Sequence, residues 1–365
     1  ATTRNDIDNT SVVFTVRGIT DKTPVVATAR SADSGQILKL AGANRILDLT
    51  RLTAESLARR VSGGAKISHV IGKIDDLLIA EVDSGRTSLI GKSYVEAQRL
   101  TSVSIVGFWA RGSFEIGQAD SMIRENTLLV MAGSRQQLKE FDAGFKAEAV
   151  QPHSNPVIII GGGRVGRASA AALKRRGVEY RIVEKSEERL REPEIYIHGS
   201  AGDKSVLQLA GIETAPSVII TTGDDETNIY LTIFCRLLRP DIQIICRTTL
   251  ERNLAEMHRA GCDIALSYAS LGANALFNLL HRVDLLMVAE GLDVFKVPVP
   301  EELVGKTLEE ADLRQRTNCS VIGIDSHDKT TTNPEPDSRL PEEGEIVLIG
   351  TPESEAEFLK LYPGP

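Results

Sequence analysis

Aromatic residues make up only 4% of this 365-residue chain, with a single Trp, and there is no cationic excess: 42 Lys+Arg stand against 50 Asp+Glu, for a formal net charge of -8. Nucleic-acid binders neutralise phosphates with a basic stripe, and no Lys/Arg run of that kind occurs, which argues against nucleic acid as a partner. Attraction to an anionic membrane surface loses the same support. No apolar stretch reaches the roughly 18 residues of a spanning helix. The most apolar helical segment, Ala275 to Val288, is interrupted by His281, Arg282 and Asp284. Cys235, Cys246, Cys262 and Cys319 show no CxxC spacing and sit in apolar patterns, as reduced, buried thiols of a cytosolic protein do. The histidines are scattered. His327, between Asp325 and Asp328, lacks the spaced partners of a closed metal site and reads as part of a solvated loop, so no metal ligand is assigned.

Catalytic signatures are missing too. There is no Gly-x-Ser-x-Gly elbow, no HExxH, no P-loop and no His-plus-carboxylate constellation, so no catalytic residue is assigned and the chain is not expected to be an enzyme. Gly91-Lys92-Ser93 and Gly305-Lys306-Thr307 mimic the end of a P-loop without the glycine that should precede it.

What the chain does have is 42% hydrophobic residues, enough to bury real cores over about two domains' length, and an internal repeat. Thr2 to Asn9 lies over Thr221 to Asn228, an offset of 219, and the match continues through Arg17 over Arg236 and Ala41-Gly42-Ala43 over Ala260-Gly261-Cys262. A second matched block sets Ile90 to Ser93 over Val304 to Thr307, Val103 to Gly107 over Cys319 to Gly323, and Leu128 to Gly133 over Glu345 to Gly350. The sequence therefore reads as a tandem of one two-lobed unit. Its expected divisions are 1–48, the later part of a first Rossmann-like lobe; 49–73, a helical link; 74–148, a first small α+β lobe; 155–268, a second Rossmann-like lobe; 269–290, a linking helix; and 291–365, a second α+β lobe. If the repeat is faithful, roughly 60 residues of the first Rossmann-like lobe precede Ala1 in the parent protein.

The second Rossmann-like lobe alternates strand and helix patterns, the signature of an α/β, doubly wound parallel sheet. Expected strands are Val157 to Ile160, Tyr180 to Glu184, Ile195 to Ile197, Ser217 to Thr222 and Ile242 to Cys246; expected helices are Ala168 to Arg176, Ser205 to Ala210, Glu226 to Leu238 and Leu250 to Ala260. After the first strand comes Gly161-Gly162-Gly163-Arg164-Val165-Gly166, the G-x-G-x-x-G pattern, and Glu184 ends the next strand. This chemistry needs glycine at 161 for the turn, at 163 for close approach of a diphosphate and at 166 for helix–strand packing, while helix N–H groups receive phosphate. Glu184 suits an unphosphorylated ribose and so favours NAD, ADP or ATP. Arg164 and Arg167 in the helix's first turn oppose its dipole unless an anion is present. Asp203 either borders the base or caps a helix. Asp224-Asp225-Glu226 and Asn5-Asp6-Ile7-Asp8 each precede a helix, where the dipole favours carboxylates without any cation.

Ile160 to Gly166, the Gly199 to Asp203 turn, Thr221 to Asn228, Ala260 to Asp263, Gly305 to Leu308 and Glu343 to Glu345 together resemble the RCK family, also called the KTN or TrkA-type family, over essentially the whole chain. The resemblance implies that Gly161, Gly163, Arg164, Val165 and Gly166 lie against nucleotide phosphates, that Glu184 holds the ribose, and that Asp203 and Thr222 border the ligand. It also implies a potassium pore partner, upstream in the same polypeptide, and a homotetramer of tandem units forming an eight-unit gating ring on the cytoplasmic face of the cell membrane. A peripheral nucleotide-binding subunit of a potassium uptake transporter and, from another class, an NAD-dependent oxidoreductase are the alternatives. Calcium-gated relatives place acids at the exits of later strands; here those exits read Ala29-Arg30-Ser31 and Cys246-Arg247-Thr248, leaving calcium without support.

Overall fold

The computed structural model describes residues 1–3, 5–61, 67–74, 76–110, 113–118, 121–124, 127–145, 155–281, 292–326 and 329–363. His327 and Asp328, and the part of the expected linking helix beyond residue 281, lie outside these residues.

Along the chain come α1 (Asp6–Ile19), β1 (Val26–Ala29), α2 (Ala32–Leu40), β2 (Arg45–Asp48) and α3 (Leu49–Arg59). They are followed by β3 (Ser68–Ile74), β4 (Leu77–Asp83), α4 (Tyr94–Leu100), β5 (Ser104–Ala110), β6 (Ser113–Ile116), β7 (Leu128–Gly133) and α5 (Arg135–Gly144). The second copy opens with β8 (Val157–Ile160), α6 (Arg164–Arg175), β9 (Tyr180–Glu184), β10 (Tyr196–His198), α7 (Lys204–Ala210) and β11 (Ser217–Ile220). It continues with α8 (Asp225–Leu238), β12 (Gln243–Thr248), α9 (Leu254–Arg259), β13 (Ile264–Ser267) and α10 (Tyr268–His281). The last segment holds β14 (Asp293–Pro298), α11 (Leu308–Ala311), α12 (Leu313–Thr317), β15 (Ser320–Ser326), β16 (Lys329–Thr332), β17 (Glu345–Gly350) and α13 (Pro352–Leu361).

These elements form two compact units that each combine like lobes of the two copies: Ala1–Gly64 with Pro152–Val283, and Ala65–Gln151 with Asp284–Pro365. In the first, a six-stranded sheet has the order β10-β9-β8-β11-β12-β13, every neighbouring pair parallel. The strand order reverses between β8 and β11, and such a switch point leaves a crevice beyond the strands' carboxyl ends. Covered on both faces, the central strands are continuously apolar: Val157 to Ile160 and Val218 to Ile220 are all buried. Each such side chain contributes about 1.5–3 kcal/mol by leaving water. The first copy supplies the parallel pair β1-β2 around a small core of Val13, Val25, Ala27, Ala29, Leu38 and Ala43. Its α3 packs along α6, where Arg175 reaches Glu55 at 3.2 Å.

In the second unit, the antiparallel sheets β3-β4-β7-β5-β6 and β14-β17-β15-β16 share one core in which Ile79, Val106 and Val130 meet Val294, Ile322 and Ile349. Helices of each copy cover its other face around Phe141 and Phe358. The link expected over 49–73 is shorter than that, because Ser68–Ile74 pairs with β4 along its whole length. The helix expected over 250–260 is a 3-10 turn at Glu251–Asn253 followed by α9. The glycine-loop helix starts at Arg164, four residues before the expected Ala168, because the glycines end the strand and the chain turns directly into the helix.

Candidate nucleotide-binding crevice

Gly161 has φ +101° and turns the chain out of β8, a conformation that favours glycine. A Cβ at Gly166 would sit 1.9 Å from the Gly161 carbonyl oxygen, so only hydrogen fits where α6 crosses the loop. At Gly163 a Cβ would meet nothing within 4 Å, so the loop backbone there faces open space. Gly163 is the N-cap of α6 and offers no side-chain hydrogen bond. Nearby α8 is different: its N-cap Asp224 accepts from the Thr227 N–H at 2.8 Å. The N–H groups of Arg164, Val165 and Gly166 thus form a positive helix end without a side-chain cap, which is the usual seat of an anion.

Glu184, 3% exposed, stands beside the loop. Its carboxylate accepts from the Gly162 N–H and the Ser186 N–H, both at 2.8 Å, and Arg189 lies 3.9 Å away. A carboxylate has about four lone-pair sites, so two remain for further donors after those two backbone bonds. Tyr196 of β10 flanks the same point, its ring 3.1 Å from a Cβ built on Gly162. Arg167 reaches back and donates to the Gly162 carbonyl at 2.6 Å, so it braces the loop. Arg164 is exposed at the mouth, and Val165 is buried under the helix.

Across the switch point, Thr221 donates to the Ile160 and Gly161 carbonyls, each at 3.0 Å, tying β11 to the loop. Thr222 is half-buried and donates to Asn228 Oδ1 at 2.6 Å. Asn228 in turn donates to the Arg247 carbonyl at 3.0 Å. Asp203 occupies the N-cap position of α7 but makes no side-chain capping bond. Of the acidic residues before α8, Asp224 caps the helix, and Asp225 ties the loop after β12 by accepting from Thr248 at 2.7 Å, Thr249 N–H at 2.8 Å and Asn253 at 2.7 Å. Burial raises the Asp225 pKa, but these bonds outweigh it and leave the group below the ordinary carboxylate range. Both carboxylates therefore have structural partners. No grouping of His, Cys, Asp and Glu among the described residues is suited to a metal ion.

Two features of this crevice escaped the sequence. One is the double backbone clamp on Glu184. The other is Arg247, noted only as a strand exit without acids; it lies over the Tyr268 ring at 5.7 Å. Its position at the carboxyl end of a strand next but one to the glycine loop was the available signal. The cysteines match their expected burial, and burial pushes the Cys235 thiol up to about 12 and Cys319 up to about 11.

Comparison with known proteins gives the chain its relatives. Residues 157–268 match the TrkA-N domain model and residues 294–362 the TrkA-C domain model. The crystal structure of the GsuK RCK domain is 36% identical, covers 99% of this chain and 79% of its own, and superposes with a TM-score of 0.63. The GsuK channel bound to NAD is 35% identical, with 99% of this chain and 66% of that chain covered and a TM-score of 0.62. Potassium channel protein 1 of Methanocaldococcus jannaschii is 28% identical over 229 residues, 59% of this chain and 68% of that protein. The uncapped glycine loop, the repeated two-lobed fold and this near-complete likeness agree: the chain belongs to the RCK family, with a TrkA-N domain at 157–268 and a TrkA-C domain at 294–362.

Proposed function

We propose that the crevice between β8 and β11 binds an adenine nucleotide and that its occupancy regulates a potassium conductance. The carrying observation is the α6 N-terminus, without a side-chain cap and with open space at Gly163, set beside a buried, backbone-clamped Glu184. These residues fit a nucleotide: Gly161, Gly163, Arg164, Val165 and Gly166 would hold the phosphates, Glu184 the ribose, and Asp203 and Thr222 would border the ligand. NAD, ADP and ATP all meet those requirements, and the GsuK channel solved with NAD favours NAD as the first to test. Bound nucleotide supplies negative charge and binding energy here, with no reaction; the chain is a regulatory module and not an enzyme. A ligand biases a gate only by its differential affinity for the two conformations. α6, which receives the phosphates, packs on α3, the helix that leads in sequence into the first TrkA-C-like lobe, so the two copies are joined at the ligand's own helix.

The partner on this reading is a potassium pore, upstream in the same polypeptide, and the site of action is the cytoplasmic face of the membrane. No helix among the described residues is long and apolar enough to cross a bilayer. Exposed apolar faces support assembly as a tetramer of tandem units: Ile7 (76% exposed), Phe14 (71%) and Ile19 (80%) on α1, and Tyr230, Ile233 and Leu237 on α8. Calorimetric titration of the protein with NAD, ADP and ATP tests the site. Saturable binding that is lost in Glu184→Gln is the expected result; no binding of any of the three contradicts it.

A further inference from the structure

Arg247 ends β12, beside the β11 strand whose Thr221–Thr222 exit borders the crevice. We infer that Arg247, with Arg164, forms a second phosphate subsite, so that the crevice selects adenine nucleotides with at least two phosphates over the monophosphate. This rests on the nucleotide reading above. The Arg247 guanidinium lies over the Tyr268 ring and donates to the Thr249 hydroxyl at 3.1 Å, while its buried Nε has no hydrogen-bond partner. Among the described residues it makes no ion pair. Asp225, the carboxylate whose field reaches it, already accepts from Thr248, the Thr249 N–H and Asn253. Burial presses the guanidinium pKa down and the field of Arg164 adds to it, while Asp225 and Tyr268 oppose them, so the two cations repel each other at the mouth. Two like charges and a desolvated, unsatisfied donor are costly in isolation, and a polyanion relieves both at once. Guanidinium forks match phosphate oxygens, and Tyr268 holds the plane of this one in advance of binding. The glycine loop and the α6 N-terminus take one phosphate; the arginine pair takes the next.

The test compares AMP, ADP and NAD binding to wild type, Arg247→Gln and Arg247→Lys by calorimetry. Wild type should bind ADP and NAD about tenfold or more tighter than AMP, the scale of charge-assisted contacts. Arg247→Gln should remove most of that gap while leaving AMP affinity within about twofold, and Arg247→Lys should fall between. An Arg247→Gln protein that weakens all three nucleotides alike, or none, overturns the subsite and leaves Arg247 a packing residue on Tyr268. Equal wild-type affinities also overturn it, while leaving the nucleotide site standing. A wild type that binds none of the three overturns both. Should Arg247→Gln not fold by its thermal melt, the exposed Arg164→Gln must narrow the same ADP-to-AMP gap, and an unchanged gap again overturns the inference.

Discussion

Gly163 and Gly166 are separated by less than one helical turn yet make opposite demands. A side chain at Gly163 meets nothing within 4 Å, whereas one at Gly166 lands on the Gly161 carbonyl. Gly163→Val is therefore expected to melt within about 1 kcal/mol of wild type while losing nucleotide binding, and Gly166→Val to lose both. Thermal unfolding and calorimetry on the same samples check this. Asp225 gives a pH prediction. Its pKa is lowered on folding, so the stability it contributes is present above the unfolded carboxylate value, near 3.9, and is lost as pH falls through the lower folded value. Asp225→Asn should cost about 1–3 kcal/mol at neutral pH and approach wild type in acid, measured by denaturant unfolding at several pH values. At this scale the glycines were legible because each carries a backbone demand printed in the motif. The Arg247–Tyr268 contact was not, because it joins the ends of different strands and no local spacing encodes it.

Among the elements, the repeat has a physical basis that the residue match alone did not supply. Arg17 and Arg236 sit at the same place in α1 and α8, and each donates back to the glycine that ends the next helix: Arg17 Nε to the Gly42 carbonyl at 2.8 Å, Arg236 Nη2 to the Gly261 carbonyl at 2.7 Å. Arg236 also satisfies the Pro240 and Ile242 carbonyls and pairs with Asp263 at 2.9 Å. Asn9 and Asn228 likewise both donate to the strand behind them, to the Thr28 and Arg247 carbonyls at 3.0 Å. The P-loop mimics resolve in the same way. Gly91 and Gly305 have φ of +79° and +76°, and Ser93 and Thr307 then open capping boxes with Glu96 and Glu310. Arg236→Ala should cost about 1–3 kcal/mol by orphaning several carbonyls, and Ser93→Ala or Thr307→Ala about 1 kcal/mol each. Denaturant midpoints at unchanged m-value are the check. Helix starts at 164 and 225 were readable to within a few residues from glycine and acidic caps. The short link before β3 was not, because an edge strand of mixed burial carries a weak alternation.

For the whole molecule, the pairing of like lobes across the two copies is what a sequence read in order does not show. Matching blocks were legible at an offset of 219, but which copy buries which face depends on the sheet-on-sheet core, where Val106 of one copy meets Ile322 of the other. In the proposed assembly, the apolar faces left exposed on α1 and α8 are the contact surfaces. Phe14→Asp together with Leu237→Asp should shift the protein toward single chains by sedimentation while each chain keeps its circular dichroism spectrum, since both side chains are exposed on the single chain. The most direct test is single-channel recording of this chain together with the potassium pore it is proposed to regulate, while NAD or ADP is applied to the cytoplasmic side. Open probability should change with nucleotide concentration in the wild type and become insensitive in Gly163→Val; a wild type indifferent to nucleotide, or a Gly163→Val channel that still responds, would contradict the account.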